Sequence, residues 1–100
     1  MLALPLYEKE RTLLSVNFPN QSRSYDATRR AVRFWGHESS MEWSFYMTED
    51  ALKRIRPDIT PDEPGFLSAF DANRERIYAA AAKAHARGRK GSYDLLAGDF

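Results

Sequence analysis

The chain has 100 residues, with 15 basic and 14 acidic side chains for a formal net charge of +1, 43% hydrophobic and 13% aromatic residues, and no cysteine. A chain of this length buries roughly 60 to 65% of its unfolded surface, enough for one core without staples, so one domain is expected over 1–100, with 1–12 as a flexible arm and 13–98 as the folded part. Disulfides, thiolate nucleophiles and sulfur metal sites are excluded, and the balanced charge excludes a whole-molecule field that would gather nucleic acid or anionic membrane.

The apolar opening, Met1 to Leu6, is too short for a signal-peptide core and runs at once into Glu8, Lys9, Glu10 and Arg11. No stretch approaches the roughly 20 apolar residues of a membrane span, so a soluble, cytoplasmic protein without membrane contact is expected. Leu14, Val16 and Phe18 alternate with polar neighbours and predict a first strand that stops at Pro19-Asn20. Gln21 to Arg30 is polar and reads as irregular or a single turn.

Ala31 to Gly36 and Met41 to Tyr46 alternate apolar and polar residues and predict a hairpin. With a loop at His37 to Ser40, Phe34 falls opposite Trp43 and Val32 opposite Phe45, on one apolar face. Arg33, Trp35, Glu42, Ser44 and Tyr46 then share the other face, with Glu42 opposite Trp35 and diagonal to Arg33. Thr48 is an N-cap, Glu49 and Asp50 suit the positive end of a helix dipole, Lys53, Arg54 and Arg56 suit the other end, and Pro57 stops the helix.

Thr60-Pro61-Asp62-Glu63 has capping-box form, but Pro64 moves the expected start of the second helix to about Phe66. From there Phe66, Phe70, Asn73, Ile77, Ala81 and Ala84 lie within an arc of roughly 80°, one face of a helix about 30 Å long that runs to Arg87 and stops at Gly88. The alanines at 79–82, 84 and 86 allow that helix a close approach, to the sheet or to a second copy of itself. Tyr93 and Leu95 predict a short last strand. The order β-β-β-α-α-β predicts an α+β fold, an antiparallel sheet of about four strands with two helices on one face.

Several segments in this order resemble one family: FPNQSRSYD from Phe18, AVRFWG from Ala31, the aromatic strand leading into TEDAL, FDANRERI from Phe70, and the helix end before Gly88-Arg89. Together they resemble the bacterial domain of unknown function family 1488 from about Val16 to the C-terminus. The resemblance implies a small bacterial α+β protein and carries over no catalytic residue.

Asn73 stands in an apolar stripe, where a buried amide without partners costs about 1 to 3 kcal/mol, so it must find a backbone partner or a ligand. Asp71, Arg74 and Tyr78 lie at spacings of three and four on the flank of that stripe, with His85 two turns further on. They form an ion-pair network or a site for an anion or acidic peptide. His37 and His85 have no recognisable catalytic spacing, and neither a metal motif nor a phosphate loop is present: the run Gly88 to Ser92 lacks the required order. No catalytic residue, metal ligand or cofactor is expected.

Trp35 and Tyr46, with Arg33, are the foremost surface feature, because large aromatics on a face without helices mark association. The alternative is that Leu2, Leu4, Leu6 and Tyr7 cover them. The leading expectation is a non-enzymatic interaction or accessory protein, a homodimer or a partner of another protein. A weak single-stranded nucleic-acid binder, with Trp35 and Tyr46 stacking and Lys83, Arg87, Arg89 and Lys90 meeting phosphates, is the alternative that neutral charge disfavours. An enzyme using His85, Asp71 or Asn73 is the third.

Overall fold

A computed structural model describes residues 16–88 and 90–100. The expected arm, the start of the expected first strand at Leu14, the covering role of Leu2, Leu4, Leu6 and Tyr7, and Arg89 all lie outside the described residues. The strands are β1 (Arg23–Asp26), β2 (Ala31–Glu38), β3 (Met41–Thr48) and β4 (Ser92–Leu95). The helices are α1 (Glu49–Ile55), α2 (Glu63–Ala72) and α3 (Arg74–Arg87), and a 3-10 turn, Ala97–Asp99, follows β4.

One four-stranded sheet runs β1-β2-β3-β4 in sequence order, which makes the fold α+β as expected. The sheet is mixed. β1, β2 and β3 are antiparallel neighbours, whereas β4 lies parallel to β3, with Phe45 opposite Tyr93 and Met47 opposite Leu95. A chain that leaves β3 at one end and returns through three helices can enter the sheet edge in the same direction, and the sequence pattern of a strand carries no mark of direction.

Two expectations for the first part of the chain are corrected. Of the strand expected at 14–18, the described part makes a single antiparallel bridge, Asn17 with His37, through paired backbone bonds of 2.9 and 2.8 Å. The true edge strand is β1, inside the segment read as irregular. It was hidden because its inward positions carry Arg23 and Tyr25, long side chains with polar ends, so no apolar alternation shows.

The hairpin is tighter than expected. β2 runs through His37 to Glu38, and a two-residue turn, Ser39-Ser40, with Ser39 at φ 57, leads into β3. Phe34 therefore stands opposite Phe45, Val32 opposite Met47, and Gly36 opposite Trp43. The slip from the expected register is two residues, which leaves every side chain on its expected face. Trp43 points to the core side and Trp35 away from it.

The core fills the space between the inner sheet face and α2 and α3. Val32, Phe34, Phe45, Met47, Leu52, Phe70, Ile77 and Leu95 are fully buried there. Rings knit the layers together: Phe34 lies 5.0 Å from Phe70, Phe45 5.0 Å from Tyr93, and Phe18 stacks on Tyr78 at 4.4 Å. The alanine stripe serves the same core, Ala81 being buried and Ala80, Ala82 and Ala84 packed against it.

Thr48 caps α1 by accepting from the Ala51 N–H at 3.2 Å, and its hydroxyl donates to the Leu95 carbonyl at 2.9 Å, joining β3, α1 and β4. α2 starts earlier than expected. Asp62 is its N-cap, accepting from the Gly65 N–H at 2.8 Å, and Pro64 is harmless in a first turn whose donors have no helical partner.

The single long helix expected from 66 to 87 is two. At Asn73 the backbone leaves helical geometry, with φ −127 and ψ 25, and α3 begins at the next residue. In a continuous helix the Asn73 N–H would donate to the Ala69 carbonyl. Here the side-chain amide makes that bond at 2.8 Å, and the backbone N–H donates to Phe70 instead, at 3.0 Å. The amide has replaced the backbone in its own ladder, which is how an Asn bends a helix.

Candidate functional site

Three polar constellations stand out, and the first joins α2 and α3 to the edge strand. Asp71 accepts from Arg23 Nε at 3.0 Å and Nη2 at 2.7 Å, a two-pronged bond that clamps α2 to β1. Arg74 donates to the same carboxylate at 2.7 Å, to the Tyr78 hydroxyl at 2.6 Å and to the Gln21 carbonyl at 2.9 Å. The hydrogen bond from Arg23, followed by that from Arg74, holds the Asp71 carboxyl below the usual carboxylate range, while partial burial acts the other way. Asp71, Arg74 and Tyr78 thus form one network, and a shallow hollow lies beside it along 71–76. Asn73 turns its amide to Ala69 in its own chain, and His85 lies elsewhere.

His85 belongs to a second constellation that the sequence did not indicate. Its Nε2 approaches Glu38 Oε1 at 3.4 Å, with both side chains only 5% exposed. The imidazole lies between two rings, 5.3 Å from Trp43 and 5.7 Å from Tyr93. The Tyr93 hydroxyl donates to the Gly88 carbonyl at 2.9 Å and accepts from the Lys90 N–H at 3.0 Å, which pins the end of α3 to β4. Glu38 was expected in a loop, so its pairing with a helix residue 47 positions later had no signal in the sequence. A related pair occurs at α1, where the Tyr25 hydroxyl donates to buried Glu49 and Arg30 stands 3.3 Å from the same carboxylate. That bond pushes the Tyr25 phenol up from its ordinary value.

The third constellation is the outer sheet face. Three rows run across β2 and β3: Arg33 beside Tyr46, Trp35 beside Ser44, and His37 beside Glu42. Glu42 therefore pairs with His37, at 3.6 Å, and the expected diagonal to Arg33 is replaced by a bond from Arg33 Nη2 to the Ser44 hydroxyl at 2.9 Å. The Arg33 guanidinium lies 5.1 Å from the Trp35 ring centre and 5.7 Å from that of Tyr46, while its buried Nε has no hydrogen-bond acceptor among the described residues.

Arg29, from the turn between β1 and β2, sits over the other side of the pattern, 4.1 Å from the Tyr46 ring centre and 3.8 Å from Asp94 on β4. Tyr46, with Arg29 and Arg33 both by its ring, is only 7% exposed, whereas Trp35 is partly open. Among the described residues, no hydrogen bond, ion pair or ring contact ties Arg33, Trp35 or Ser44 to a helix. The basic cluster at the end of α3 is less free than its sequence suggests, since Arg87 stands 3.5 Å from Asp99. Among the described residues no group of three or more metal-ligating side chains converges, and no helix is long and apolar enough to cross a membrane.

Fold and site together define a small single-sheet α+β protein, helices on one face and a guanidinium–aromatic array on the other. The profile of the family described as protein of unknown function (DUF1488) matches residues 16–96, and the chain belongs to that family. A solved structure from Shewanella loihica PV-4, described as a protein of unknown function from the DUF1488 family, is similar, with a TM-score of 0.72 and 20% identity. The match covers 82% of this chain and 92% of that one, and at such identity the likeness concerns the fold alone. No functionally curated protein matches the chain.

Proposed function

We propose that this chain is a small interaction protein whose outer sheet face receives a protein partner. The observation that carries the reading is Trp35: a large, partly open aromatic on the face away from the helices, flanked by the Arg33 guanidinium. Tryptophan and arginine side by side are the residue types that dominate the energetics of protein interfaces, because they contribute area and directional bonds together. Charge on this face is mixed, Arg29 beside Asp94 and Arg33 on the same side as Glu42, which suits a protein surface better than a phosphate backbone. Burial of Tyr46 beneath Arg29 also removes one of the two rings that base stacking would use.

Site-specific photocrosslinking tests this directly. A benzoylphenylalanine in place of Trp35 is expected to give a defined adduct in cells, and the same group in place of Arg54, an exposed position of α1, is expected to give none. Equal labelling at both positions, or none at position 35, removes the basis for the proposal.

A further inference from the structure

Building on the reading of the outer face as an interaction surface, we infer that its partner is a second copy of this chain, packed face to face about a two-fold axis that runs along the strands between β2 and β3. Such an axis lays β2 of one copy over β3 of the other in the same rows. Two of the three rows are complementary under that operation: Trp35, the largest projection, would descend on Ser44, and His37 would meet Glu42. Small opposite large is what close packing of two sheets about 10 Å apart requires.

The floor that receives the indole is already prepared. The Arg33 guanidinium is held against the Ser44 hydroxyl at 2.9 Å, so an arriving Trp35 would meet a flat, weakly hydrated cation, a favourable partner for an indole face. The same operation brings Arg33 to the Tyr46 row, where Arg29 already lies over the ring, so the polar complementarity of this isologous arrangement rests on the His37–Glu42 row. Glu42, with its side chain 55% exposed, faces an imidazole across the axis and no like charge. At ~4.8 Å between strands and ~3.4 Å per residue, the two long strands present a face on the order of a few hundred Å² per copy, smaller than a standard specific interface, so the association is weak, transient and concentration-dependent.

The test uses the full chain and two charge variants, E42R and H37E, both at surface positions that leave the core untouched. Sedimentation velocity on the wild type, up to roughly millimolar concentration, is expected to show a monomer–dimer equilibrium. Each variant alone destroys the complementary pair across the axis, E42R by setting a guanidinium against the imidazole and H37E by setting two carboxylates together. Either should weaken self-association at least roughly tenfold, with circular dichroism unchanged. Mixing the two variants sets the new guanidinium at position 42 of one chain against the new carboxylate at position 37 of the other, and is expected to restore dimers of one chain of each kind. A wild type that stays monomeric throughout overturns the inference, as does a dimer that ignores both substitutions. A monomer that still crosslinks through position 35 to a different protein ends the homodimer while the interaction face survives, and one shielded by its own N-terminal residues ends both.

Discussion

At position 36 a methyl group has nowhere to go. Gly36 faces the core from β2, and a Cβ there would stand 2.7 Å from Phe18, 2.8 Å from Val16 and 3.0 Å from Phe45. Those are ring and branched-chain atoms locked in the core, so they can yield only by moving the bridge at Asn17 or the Phe34 and Phe45 stack. Gly36→Ala should therefore cost about 1 to 3 kcal/mol, read as a lower denaturant midpoint with unchanged slope. An unaltered midpoint would mean that Phe18 is not fixed where it lies. Single residues were unevenly legible from the chain. Asn73 was visible as an anomaly because an amide in an apolar stripe demands a partner, but that its partner is Ala69 in its own helix, and that the bond breaks the helix, needed the backbone path. The outward aim of Trp35 and Tyr46 followed from period two. The burial of Tyr46 did not, since its cover, Arg29, comes from a turn with no pattern of its own.

At the scale of elements, β1 shows how a strand escapes notice. It has four residues, and its inward pair, Arg23 and Tyr25, is held by Asp71 and by Glu49 and Phe66, all distant in sequence. Polar contacts take a direct part in fastening the strand to the helices, and that gives it a pH dependence. The Asp71 carboxyl titrates below its unfolded value of about 3.9, so the folded state holds fewer protons between those two values. Its contribution is present above that pH and is lost as pH falls through the depressed value. Asp71→Asn is expected to cost roughly 0.5 to 1 kcal/mol near neutrality, a small figure because the side chain is 40% exposed and screened, and to flatten this part of the acid limb. Hydrogen exchange should show β1 amides opening faster in the variant while β3 amides keep their protection. If β1 protection is unchanged, the clamp is ornamental. The hairpin, by contrast, was legible in its strands and faces, while its turn, and with it the register by two residues, was missed. Ser39-Ser40 lacks the Gly or Asn that normally signals a two-residue connection, although Ser39 adopts the left-handed conformation such a turn needs.

For the whole molecule, the decisive junction is where β4 joins β3. Leu95 is fully buried, its carbonyl accepts from Thr48, and its strand closes the sheet after all three helices have been laid down. Leu95→Ala should cost about 2 to 5 kcal/mol and lower the melting transition as one cooperative step, because the cavity would open between layers that share one core. A separate early transition for the C-terminal strand would show instead that β4 is an appendage. Such a closing strand pairs residues some 48 positions apart, Met47 with Leu95, and no local pattern specifies its direction. By itself the sequence determined what short-range physics controls: the hairpin strands and their apolar and polar faces, the N-cap of α1, the stop at Gly88 and the α+β class. Tertiary structure decided the parallel edge, the strand hidden in a polar segment, the burial of Glu38 with His85, and the open Trp35 above Arg33. Each of these depends on side chains that meet only after the backbone has brought remote segments together, and spacing along a chain does not encode distance between its parts.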